Sequence, residues 1–173
     1  MKISRTLVKI LYLGLVSALI FLSCGPAPAS LTEVSAMPGQ WKWKSTVEIV
    51  NNASASCPLK TGDSVITTIS IKYAGGSNLN GGEGYSYTLT GFGTDSLHGI
   101  TSASNGGGSA AELNFQGSYV VGTGRKTDSA SSIVSVEPSY AAMDGEEVWS
   151  WAGTGASAGI TCSGRSAINA TKL

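Results

Sequence analysis

One histidine, three cysteines, a short acidic run and two pairs of tryptophans are the side chains of this 173-residue sequence with chemistry to offer. His98 lies in Ser96-Leu97-His98-Gly99, which reads as a solvated loop. With no second histidine and no spare thiol, neither a zinc site nor a Cys–His nucleophile can be assembled around it. Gly106-Gly107-Gly108 lacks the lysine of a phosphate-binding loop, and no Gly-x-Ser-x-Gly elbow is present. The run Asp144-Gly145-Glu146-Glu147 offers carboxylates for calcium or, with the distant Glu112, for glycoside hydrolysis. It has too few oxygens at the spacing of an EF-hand loop, and an acidic turn leading into a strand is the plainer reading. No catalytic residue, metal site or cofactor is assigned.

The tryptophans are more suggestive. Trp41 and Trp43 stand two apart, as do Trp149 and Trp151, so on a strand each pair faces one side. Turned inward, they are core residues or the lining of a cavity for an apolar ligand. Turned outward, they form a flat platform for sugar rings or a protein partner. These four are the candidate ligand-binding residues.

The remaining chemistry is that of export. Lys2, Arg5 and Lys9 precede Ile10–Leu22, an uncharged apolar run of 13 residues. As a helix that run reaches about 20 Å, short of the ~30 Å hydrocarbon core, so it reads as a cleaved signal over residues 1–23. Ile20-Phe21-Leu22-Ser23-Cys24 resembles the lipobox of bacterial lipoproteins. The resemblance implies that Cys24 is acylated and becomes the N-terminus, anchored stably by its chains at about 0.8 kcal/mol per buried methylene. Residues 24–38 would then be a flexible tether, and the protein would sit in the bacterial cell envelope, at the outer membrane. The alternative is cleavage after Ala27-Pro28-Ala29, which makes it secreted or periplasmic. Either outcome leaves Cys57 and Cys162, which an oxidising compartment invites to pair, free thiols being the alternative. The signal carries three of the 11 basic residues, so eight remain against 11 acids, a mature charge of −3 that argues against a nucleic-acid partner.

The elements that must position these side chains read as strands. Period-two alternation runs from Trp41 to Ile49, over Ser64–Tyr73, Tyr85–Phe92, Ala111–Val121, Ile133–Glu137, Glu147–Gly153 and Ile160–Ala170. No amphipathic helix follows the signal. The segments 74–84, 93–110 and 122–132 are rich in Gly, Ser, Asn and Asp and read as turns or loops. Seven strands over residues 39–173 predict a single all-β domain, an antiparallel barrel or a sandwich of about seven to eight strands. A Cys57–Cys162 bridge would bring the first and last strands together and close a barrel. An up-and-down barrel then needs an even count, one more strand than seven.

Gly39-Gln40-Trp41 is similar to the G-x-W hallmark of lipocalins and related calycin barrels. That resemblance implies that Trp41 packs against a basic residue of the last strand, for which Arg165 is the candidate. The functional expectation is a non-catalytic binding or interaction module of the envelope, presenting its loops to an unknown protein or small molecule. The alternatives are a calycin-like carrier of a small apolar ligand and, last, a carboxylate-based hydrolase.

Overall fold

The computed structural model describes residues 36–51, 56–79, 82–103, 109 and 111–173. The signal, Cys24, Gly106–Gly108 and most of the tether lie outside them. Alternation of apolar and polar residues produces eight strands among the described residues: β1 (Gly39–Asn51), β2 (Ser64–Leu79), β3 (Gly82–Phe92), β4 (Asp95–Ala103), β5 (Ala111–Val121), β6 (Gly124–Val136), β7 (Ala142–Gly153) and β8 (Thr161–Lys172). Each pairs antiparallel with its neighbours in sequence, and β8 returns to β1, closing the barrel. The sandwich alternative is therefore set aside, since closure leaves no sheet edge.

The strand missing from the sequence reading is β4, inside the segment 93–110, and β6 begins nine residues before Ile133, within 122–132. Each follows a very tight turn. Phe92 pairs with Asp95 and Val121 with Gly124, so only Gly93-Thr94 and Gly122-Thr123 separate the strands. The left-handed φ of Gly93 (69°) and Gly122 (57°) permits these two-residue hairpins. Residues 74–79 and 82–84 likewise belong to β2 and β3. The loops expected to form a contact surface are thus largely barrel wall, and His98 sits exposed on β4.

The interior is layered. At the end where the chain enters β1, a large apolar cluster is built on Trp41, Trp43, Leu89, Leu113, Phe115 and Ile168. At the opposite end a smaller one holds Val47, Trp149, Trp151 and the bridged Cys57 and Cys162. Small residues make room for the large rings: a Cβ on Gly164 would stand 2.6 Å from the Trp149 ring and 2.0 Å from the Ile49 carbonyl oxygen. The disulfide spans 105 residues of sequence and ties the segment between β1 and β2 to the start of β8.

The bottom of the barrel is capped. Met37 is fully buried, and its carbonyl accepts the Trp41 indole N–H at 3.1 Å. The basic partner of Trp41 is Lys172, opposite it on β8, with Nζ 5.6 Å from the ring centroid and bonded to the Ala36 carbonyl. This corrects the expectation for Arg165. That residue pairs with Ile49 near the far end, points outward, and meets Glu146 at 3.3 Å.

Candidate functional site

All four tryptophans point inward and are at most 2% exposed, so none forms an outward platform. Trp41 belongs to the cap, while Trp149 and Trp151 fill the far cluster. Their indole N–H groups are satisfied internally, Trp149 by Ser166 Oγ at 2.9 Å and Trp151 by the Val121 carbonyl at 3.0 Å. Of the four, it is Trp43 that lines an open cavity.

That cavity, of about 270 Å³, opens at the end remote from Gly39. Its walls come from Trp43, Val47, Leu59, Phe92, Tyr119 and Val121, and its mouth from Val65 and Val120, each 60% exposed. Leu59 reaches the mouth because Cys162 holds the adjacent Cys57 in place and Val47 exchanges backbone hydrogen bonds with Gly62 and Asp63, both at 2.8 Å.

The inner wall is polar. Ser45, Lys126 and Ser166 line it, backed by Glu147 and Asp128. Two-residue periodicity creates this layer between the two apolar clusters: Ser45 follows Trp41 and Trp43 and precedes Val47 on β1, while Glu147 precedes Trp149 and Trp151 on β7. On β6, Lys126 and Asp128 point inward, and a bulge of extra residues before Ile133 follows. Ser132 fills the broken ladder there, with its hydroxyl donating to the Val148 carbonyl at 3.2 Å and accepting from the Val148 N–H at 3.0 Å.

Lys126 Nζ forms an ion pair with Glu147 and lies 3.2 Å from Asp128 and 2.9 Å from the Tyr119 hydroxyl. Tyr119 and Ser45 donate to the two Glu147 oxygens at 3.3 and 2.8 Å. Burial pushes the Asp128 carboxyl up to about 8, helped by the negative Glu147 and opposed by Lys126. Burial also pushes against ionisation of Glu147, but Lys126 and its hydrogen bonds outweigh this and hold Glu147 below the usual range. Tyr119 is driven up by burial first and then by both carboxylates. The outcome is one neutral and one ionised acid beside one ammonium.

The acidic run singled out in the sequence is dispersed by the pleat: Asp144 and Glu146 face outward and Glu147 inward. Glu112 faces outward on β5, between Ser102 and Ser135, and does not join Glu147. Among the described residues no group of three or more His, Cys, Asp and Glu side chains is placed to hold a metal ion. The sequence reading missed Lys126, Asp128 and Ser166. The available signal was parity, since Glu147 shares its face with Trp149 and Trp151.

These features define an all-β protein: a closed eight-stranded meander, capped at one end and hollow at the other. Comparison with protein-family models, with curated proteins and with solved structures gave no match.

Proposed function

We propose that the chain is a cell-envelope lipoprotein, acylated at Cys24, whose barrel is a non-catalytic binding module holding a small, largely apolar ligand in the open end. The observation that carries the ligand reading is the 270 Å³ cavity walled by Trp43, Val47, Leu59, Phe92 and Val121. Glu147 and Asp128 are engaged by Lys126 behind its inner wall, a poor arrangement for carboxylate catalysis on a bound molecule. The anchor rests on the lipobox resemblance, and the disulfide suits an oxidising compartment.

Bromoalkanes of six to eight carbons test the ligand reading. They should quench Trp43 fluorescence saturably, and Val47→Phe, which fills the cavity, should abolish the effect with the circular dichroism unchanged. Quenching that persists in Val47→Phe would refute it. Mass spectrometry of the mature N-terminus tests the anchor, and an unmodified Ser30 at that terminus would exclude it.

A further inference from the structure

We infer that the ligand is an uncharged amphiphile that enters polar end first, with a hydroxyl-like group seated between Ser45 and Ser166. This rests on the reading of the cavity as a binding site and names the chemistry that site accepts.

The argument is one of unspent hydrogen-bonding capacity. Among the described residues Lys126 is the only cationic side chain lining the cavity, and its ammonium is already committed to Glu147, Asp128 and Tyr119. An anionic head would have to break the Lys126–Glu147 pair and leave a buried carboxylate without its cation. A cationic head fares no better. The one carboxylate lining the cavity among the described residues is Asp63, exposed at the mouth and capping the Lys60 N–H at 2.7 Å.

Two hydroxyls keep capacity to spare. Ser166 Oγ accepts from the Trp149 indole, and its proton meets no acceptor among the described residues, so it is left to donate. Ser45 Oγ gives its proton to Glu147, and its lone pairs remain to accept. The two are diagonal neighbours on adjacent strands, Ser45 opposite Ile168 and Ser166 opposite Val47. One donor and one acceptor that close together match an alcohol or primary amide, which both gives and takes a hydrogen bond. Towards the mouth the walls become apolar, at Leu59, Phe92 and Val120.

The experiment titrates 1-octanol, octanoate and octylamine, equal in chain length, into the full chain carrying Cys24→Ser at pH 7, followed by calorimetry. Octanol should bind at least tenfold more tightly than either ion. In Ser45→Ala/Ser166→Ala its affinity should fall by about tenfold or more, the loss expected for one to two hydrogen bonds. Octanoate or octylamine binding as tightly as octanol would overturn the inference and leave the cavity reading intact. So would octanol affinity unchanged in the double variant. No saturable binding of any of the three would overturn both. The panel on the unmodified barrel keeps the test valid if the double variant does not fold.

Discussion

Asp128→Asn probes the charge state of the polar layer. Asp128 is 2% exposed, and its carboxyl meets Lys126 Nζ at 3.2 Å. Burial, with Glu147 adding to it, lifts this acid from 3.8 to about 8. The unfolded chain releases the proton near pH 4, whereas the folded barrel keeps it to about pH 8. Between those limits the native state binds one more proton than the unfolded state, so its stability falls as pH rises. The linkage slope for one proton is about 1.4 kcal/mol per pH unit. Below the window both states are protonated, above it both are ionised, and the contribution stops changing. Asparagine keeps the shape of the neutral acid and removes its titration, while the other groups largely cancel when variant and wild type are compared. Urea unfolding from pH 4.5 to 8.5, with the disulfide intact, should show Asp128→Asn gaining on wild type by about 1.4 kcal/mol per unit between pH 5 and 7. A difference that stays flat, or that favours the wild type as pH rises, would refute the claim that the fold holds Asp128 neutral.

Lys126→Met leaves Glu147 buried without its cation and should cost about 3–5 kcal/mol, with most of it recovered in Lys126→Met/Glu147→Leu; equal stability of the single variant and wild type would count against the pair. Removing the Cys57–Cys162 bridge by Ser substitution should cost about 4 kcal/mol in denaturant unfolding, because the cross-link closes a loop of 105 residues. Gly164→Ala places a methyl group 2.0 Å from the Ile49 carbonyl oxygen and 2.6 Å from the Trp149 ring, and should destabilise by about 1–3 kcal/mol with a shift in tryptophan emission.

Much of the barrel was legible because a strand's side-chain period is two and survives in any tertiary context. Trp41, Trp43 and Val47 declared one face of β1, and Trp149 and Trp151 one face of β7. The cysteine pair pointed to the neighbouring ends of the first and last strands, where the bridge is found. Strand β4 was illegible for a local reason. Its residues Asp95–Ala103 carry Ser, His, Gly and Thr amid only Leu97 and Ile100 as bulky apolar side chains, and its inward Gly99 is filled by Leu89 and Leu113 from neighbouring strands. An inward face supplied by other strands leaves no mark in the strand's own pattern.

The histidine, cysteines, acids and tryptophans with which the reading began therefore divide by the range of the forces that place them. Sequence alone determined the β-class and that each tryptophan pair shares one face of its strand, since these depend on composition and on residues two apart; that both pairs turn inward was decided by the barrel. Only the closed barrel decided that Lys172 rather than Arg165 meets Trp41, and that Glu147 leaves its acidic run to join Lys126 and Asp128. It also decided that Ser45 and Ser166 meet at the inner wall of a cavity. Those pairings are set by strand register around the barrel, and burial makes them matter: an ammonium and carboxylates withdrawn from water must find one another, across whatever distance in sequence the fold has spanned.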